Sequence, residues 1–133
     1  LLHGPPGTGK TLMLRYLAAA CPGYTVVLMT GRQLGLVRES CAVARMLAPS
    51  LVMLEDVDLI GGDRESNGSP VQLQDLMDEM DGLGPKADVM FLLTTNRPEV
   101  LEPALSSRPG RIDQAVEFPL PDEACRRRLF ALY

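Results

Sequence analysis

Short apolar runs alternate along the chain with longer stretches whose apolar residues recur at helical spacing. Leu1–His3, Thr25–Thr30, Leu51–Leu54, Val89–Thr94 and Ala115–Phe118 read as strands. Lys10–Ala20, roughly Leu34–Leu47, Val71–Met80 and a shorter piece near Glu99–Ser106 read as the helices between them, and a last helix starts near Asp122. Apolar strands separated by helices predict an α/β fold, with a parallel sheet covered by helices. The third helix carries the fullest set of signals. Ser69 with Gln72 makes a capping box, Pro70 takes the first helical position, and Gly82 stands just past the end. Leu73, Leu76, Met77 and Met80 share one face, which is expected to be core. Ile60 to Ser69 and Gly82 to Asp88 are polar, glycine-containing loops.

The first strand and first helix enclose Gly4-Pro5-Pro6-Gly7-Thr8-Gly9-Lys10-Thr11, a complete G-x-x-x-x-G-K-T loop followed by Leu12. Glycines let the backbone wrap a phosphate chain without side chains in the way. Pro5 and Pro6 have no N–H to donate, so the donors must come from residues 7 to 12, where the loop becomes a helix N-terminus. Lys10 would reach the β- and γ-phosphates and the Thr11 hydroxyl would ligate Mg²⁺. The alternative is a Gly/Pro surface turn; the strand before and the apolar helix after argue for the phosphate loop.

The 133 residues suit one domain, and 46% hydrophobic content suits a globular one. A net charge of −4 argues against a nucleic-acid partner held by a broad basic surface, and none is expected. No run approaches the ~18 apolar residues of a membrane span. The chain opens without Met, partway through a strand, and stops inside a helix, as expected of a piece of a longer protein. Cys21, Cys41 and Cys125 are scattered, which suits a reduced cytoplasmic setting rather than a disulfide frame or zinc site; each is expected to be a buried structural thiol. His3 is the only histidine, which excludes a histidine metal site or a Ser-His-Asp relay.

Leu51-Val52-Met53-Leu54-Glu55-Asp56 is an apolar strand ending in two carboxylates. Ligands of parallel sheets bind beyond the carboxyl ends of the strands, so this pair would meet the phosphates and metal. One carboxylate can hold Mg²⁺ through water while the next polarises an attacking water. A solvated acid pair at a strand exit is the competing reading.

Residues 4–11, 51–58 and 94–113 together resemble the ATPase core of the AAA family, within the AAA+ superfamily of P-loop NTPases. The most specific stretch is Thr94-Thr95-Asn96-Arg97-Pro98-Glu99 through Leu101-Glu102-Pro103-Ala104-Leu105 to Arg108-Pro109-Gly110-Arg111-Ile112-Asp113. The resemblance implies a three-layer sandwich on a five-stranded parallel sheet of order 5-1-4-3-2. It assigns residues 1–121 to the ATPase core and 122–133 to the start of the connection to a helical lid. ATP and Mg²⁺ are the implied cofactors, with Glu55 and Thr11 at the metal. Asn96 matches the polar sensor between the carboxylates and the γ-phosphate, a task an amide can perform because it accepts and donates at once; a helix N-cap is its other reading. Arg108 and Arg111 match arginine fingers that reach a neighbour's nucleotide, against the alternative of two solvated arginines in a Pro-Gly turn. The implied assembly is a homo-oligomer, a hexameric ring, acting on a protein client that the sequence does not identify.

Two departures qualify the resemblance. The family usually shows Asp then Glu where this chain has Glu55 then Asp56; a minority branch, including mitochondrial AAA translocases, shares the Glu-Asp-Val-Asp order. By position Glu55 would serve the metal and Asp56 the water. Asp56 is one methylene shorter than Glu, so it must approach the water more closely or act through a second one; hydrolysis is expected. The second departure is at Thr30-Gly31-Arg32-Gln33-Leu34-Gly35-Leu36-Val37-Arg38, which has no aromatic residue where many members grip a polypeptide. Arg126-Arg127-Arg128 reads as a solvated helix face. ATP hydrolysis by a remodelling module therefore competes with a nucleotide-binding switch or scaffold that hydrolyses little. A GTPase would need an Asn-Lys-x-Asp sequence, which is absent.

Overall fold

β3 (Ser50–Glu55) shows how the layers are organised. Val52 and Leu54 point to one side of the sheet, where they pack with Met29, Leu34, Val37, Cys41, Ala44, Leu73, Leu76, Met77 and Leu93. Leu51 and Met53 point to the other side, against Leu2 and Leu14. A strand with an unbroken apolar run such as Leu51–Leu54 is stable only when both faces are covered, and here they are.

The computed structural model describes residues 1–61, 71–83, 87–99, 101 and 112–132. Around β3 stand β1 (Leu2–His3), β2 (Thr25–Thr30), β4 (Val89–Thr95) and β5 (Val116–Glu117), in the order β2-β3-β4-β1-β5. Every pairing is parallel. This is the five-stranded parallel sheet expected, with the same neighbours. α1 (Lys10–Ala20) covers the Leu51 face through Leu14. α2 (Val37–Met46) and α3 (Val71–Asp81) cover the other. Ion pairs Arg38–Asp75 and Arg45–Glu79 join α2 to α3. α4 (Glu123–Leu132) is exposed along its length and is started by Asp122, whose Oδ1 accepts the Cys125 N–H at 2.7 Å. That bond holds the Asp122 carboxyl below its ordinary pKa.

The strand and helix limits follow the sequence pattern to within a residue or two, with one exception. The helix expected over Leu34–Leu47 is preceded by a 3-10 helix, Gly31–Leu36, that follows β2 directly and runs into α2. The Thr30 N–H donates to Gln33 Oε1 at 3.0 Å, which starts the turn at once. Leu34 and Val37 are buried while Leu36 is 57% exposed. On α3, Leu73, Leu76 and Met77 form the expected core stripe, with Met80 half-buried. Its capping residues Ser69 and Pro70, and residues 62–69 and 84–86 of the two polar loops, lie outside the described residues, as does all of the Glu99–Ser106 helix except Glu99 and Leu101, which are helical.

The cysteine expectation needs correction. Only Cys41 is buried; Cys21 is half-buried and Cys125 is exposed. Cys21 ends α1, and Cys125 sits on α4, which packs no face into the core. All three are free thiols, and burial pushes the Cys41 pKa up to about 11.

Candidate nucleotide site

Because all five strands are parallel, their carboxyl ends share one edge, where the chain leaves β1, β3 and β4. Register sets the heights. His3 pairs with Thr95, and Leu54 with Leu93, so Gly4, Asp56 and Asn96 emerge at neighbouring levels. β4 lies between β1 and β3, which puts Asn96 between the loop and the acid pair. Two strand spacings, about 10 Å, separate those flanks.

Gly4 to Gly9 turns with positive φ at Gly4 (143°), Gly7 (79°) and Gly9 (100°). Such angles are easy for glycine alone. Gly4 is also steric: a Cβ there would run into the Phe118 carbonyl oxygen. Its N–H is already donated to the Thr95 carbonyl, at 3.3 Å. With Pro5 and Pro6 lacking donors, anion-binding N–H groups must come from further along the loop and the start of α1. No side chain caps that helix, Gly9 stands at its N-cap, and no acidic residue occupies its first turn. An uncapped helix N-terminus behind a glycine loop suits a phosphate. Thr8 Oγ1 donates to the Pro5 carbonyl at 2.9 Å and braces the turn. Lys10 is only 6% exposed, and its Nζ donates to the Gly4 and Pro5 carbonyls, each at 2.8 Å. A buried ammonium needs such partners. Thr11 and Leu12 are exposed at the helix start.

Glu55 closes β3, half-buried, in register with Thr30. Asp56 follows with φ 52°, the left-handed region that Asp tolerates better than most residues. Several bonds impose that conformation. The Asp56 N–H donates to Thr94 Oγ1 at 3.0 Å, and its carbonyl accepts the Leu59 N–H at 3.0 Å. Gly31 supplies room, since a Cβ there would collide with the Asp56 carbonyl. The Asp56 side chain accepts from Asn96 Nδ2 at 3.2 Å. Asn96 thus spends its amide on the carboxylate; the Arg97 N–H is taken instead by Thr95 Oγ1 at 2.9 Å. Arg108 and Arg111 lie outside the described residues.

Sequence reasoning missed Asp58. Its Oδ1 accepts from Thr95 Oγ1 at 2.8 Å and from the Asn96 N–H at 3.0 Å. Its signal was present in Glu55-Asp56-Val57-Asp58, but a third acid after a strand has no role that spacing alone reveals.

Among the described residues, no three His, Cys, Asp or Glu side chains form a metal cage. Mg²⁺ held mainly by phosphate oxygens and water needs only one or two protein ligands, so Thr11 and Glu55 fit that chemistry.

A phosphate loop beside a strand-end acid pair, with an amide between them, defines a class of nucleotide-binding protein. The chain belongs to the AAA family: the family's sequence profile, described as "ATPase family associated with various cellular activities (AAA)", matches residues 1–120. Among curated proteins it is similar to "26S proteasome subunit RPT4" of Saccharomyces cerevisiae, with 38% identity over 147 aligned positions, all of this chain and 33% of the relative. It is likewise similar to "26S proteasome regulatory subunit 4 homolog B" of Arabidopsis thaliana, with 39% identity over all of this chain and 33% of the relative. A third, "26S proteasome regulatory subunit 10B" of Dictyostelium discoideum, is 38% identical over 95% of this chain and 35% of its own length. The chain spans about a third of the length of these relatives.

Proposed function

We propose that the chain is the ATP-binding and hydrolysing core of a multi-subunit machine that remodels a protein or complex. The observation that carries this reading is the Asn96–Asp56 hydrogen bond, at the sheet edge where the Gly4–Thr11 loop also opens. The loop residues Gly4 to Leu12 would hold the triphosphate, with Lys10 turning from the Gly4 and Pro5 carbonyls to the β- and γ-phosphates. Thr11 and Glu55 would hold Mg²⁺, which when bound supplies charge neutralisation at the phosphates. Asp56 would take the proton of the attacking water as its oxygen bonds to the γ-phosphorus and ADP leaves. Asn96 would orient that water.

The same proposal assigns residues 1–121 to the core and 122–133 to the connection that follows. It gives Arg108 and Arg111 to the nucleotide of a neighbouring subunit, in a ring. The similar proteins are named as subunits of a larger particle, which supports an oligomer; it does not support the homo-oligomer that the resemblance implies. No helix among the described residues is long and apolar enough to cross a membrane, and the free thiols support a cytoplasmic setting. Gripping of a client by the segment after β2 has no support, because Gly31–Leu36 is a helical turn packed through Leu34. The client is a protein of unidentified kind.

Phosphate release against ATP concentration, measured on the full-length protein, tests the reading. Saturable turnover that Lys10→Ala abolishes by loss of nucleotide binding is expected. Tight ATP binding without turnover would select the second reading, a nucleotide-operated switch. That reading draws on the Glu55-Asp56 order and on the lack of an aromatic residue after β2.

A further inference from the structure

We infer that Asp58 is a positioning residue for Asn96, and through it for the water-handling carboxylate of Asp56. This rests on the reading that Asp56 and Asn96 act on the attacking water. Asp58 lies just beyond β3, in the 3-10 turn Val57–Gly61, and its Oδ1 bonds across to the tip of β4. One carboxylate oxygen accepts both the Thr95 hydroxyl and the Asn96 backbone N–H, at 2.8 and 3.0 Å. Thr95 in turn accepts the Arg97 N–H, so two residues of β4's exit bond to Asp58 directly and the next is linked to it through Thr95. Thr95 is fully buried, and a charged acceptor is a strong partner for a donor removed from water.

The geometry turns this anchor into a catalytic constraint. Asn96 follows the last residue of β4, where no further pairing fixes its backbone. Its side chain reaches Asp56 across the strand gap at 3.2 Å, near the long end of a hydrogen bond. A small rotation of the Asn96 backbone would carry Nδ2 out of range. Asp58 pins that backbone from the same chain segment that carries Asp56. A second tie runs the other way, from the Asp56 N–H to Thr94 Oγ1. The carboxylate and the amide are therefore positioned by reciprocal bonds between β3's exit and β4's tip, with Asp58 supplying one half.

The role separates from mere structural support in a double-mutant cycle on the full-length protein. ATP affinity, kcat and the thermal midpoint would be read for Asp58→Ala, Asp58→Asn, Asn96→Ala and the Asp58→Ala/Asn96→Ala pair. Asp58→Ala should lower kcat by about tenfold or more, the size expected for loss of a charged hydrogen bond, while ATP affinity stays within about twofold. Asp58→Asn keeps an acceptor oxygen and should recover most of the loss. In an Asn96→Ala background, Asp58→Ala should cost little further kcat, because its effect passes through Asn96. Unchanged kcat in Asp58→Ala, or additive losses in the pair, would overturn the inference while leaving the ATPase reading standing. Unchanged kcat in Asn96→Ala would overturn the reading of Asn96 and this inference with it. Should Asp58→Ala fail to fold, the same cycle is run with Asp58→Asn: a partial kcat loss that disappears in the Asn96→Ala background supports the positioning role, and an unchanged kcat or an additive loss overturns it.

Discussion

Asn96 Nδ2 donates to Asp56 Oδ1 at 3.2 Å, so an amide at the end of β4 holds the carboxylate that follows β3. The two residues are forty positions apart and meet because β3 and β4 are parallel neighbours with a shared end.

Asp56→Asn keeps an acceptor oxygen for Asn96 and keeps a residue type that tolerates φ 52°. It removes the negative charge and with it the ability to take a proton. Full-length Asp56→Asn should bind ATP like wild type and unfold at the same temperature, with turnover lower by about 100-fold or more. Steady-state phosphate release with a nucleotide-binding titration checks this, and unchanged turnover would remove Asp56 from the base role. Asp56→Ala should lose stability as well, because Ala fits the left-handed region poorly.

Gly4→Ala should be severe for a different reason. Its φ of 143° and the Phe118 carbonyl both oppose a Cβ, so the first turn of the loop and β5 cannot both keep their places. A loss of roughly 2 kcal/mol or more is expected, with a weakened Phe118 N–H to His3 carbonyl bond, now 2.7 Å. Denaturant unfolding reads the energy. Gly7→Ala, where a Cβ meets nothing, should cost strain alone and therefore less.

Much of this was legible in the sequence. Strand and helix positions came from apolar runs, since a parallel strand buried on both faces cannot hide its composition. The loop from Gly4 to Thr11 was legible because glycine and proline leave few ways to wrap an anion. The donors of Asp58, the seat that Gly31 makes for the Asp56 carbonyl and the left-handed turn at Asp56 were not. Each depends on the register of β3 with β4 or on the approach of β2's end to β3's exit, distances that no local pattern encodes. The exposure of Cys125 was misjudged for a related reason: cysteine's usual burial says nothing about whether α4 has a surface to pack on.

Cys41 gives a pH dependence with a definite sign. Burial is the main cause that raises its pKa from 9.0 to about 11, with Glu79 adding and Arg45 opposing. The folded thiol therefore stays neutral where the unfolded one ionises. The stability it contributes is present below pH 9.0 and is lost as pH rises toward about 11. Urea midpoints of wild type and Cys41→Ala should converge as pH rises from 9.0 to about 11, the range set by those two pKa values. Divergence would contradict the burial. A thiol reagent at pH 8 should label Cys125 first and Cys41 last, as their exposure dictates.

Leu76 on α3 is wholly buried against the sheet. Leu76→Ala should cost about 2–5 kcal/mol, the range for a cavity opened in a well-packed core. Because α3 bears on the face opposite α1, ATP affinity at temperatures below the new midpoint should change little. A calorimetric scan with a binding titration tests both statements.

The Gly4 N–H ends on the Thr95 carbonyl while the Asp56 N–H ends on the Thr94 hydroxyl, so adjacent residues of one strand carry the two sides of the site. β4 works as a beam with a load hung from either flank. Displacement of the loop in one direction bears on the same few atoms that set the height of the acid pair in the other. Segments far apart in the chain thereby take their positions from one shared support.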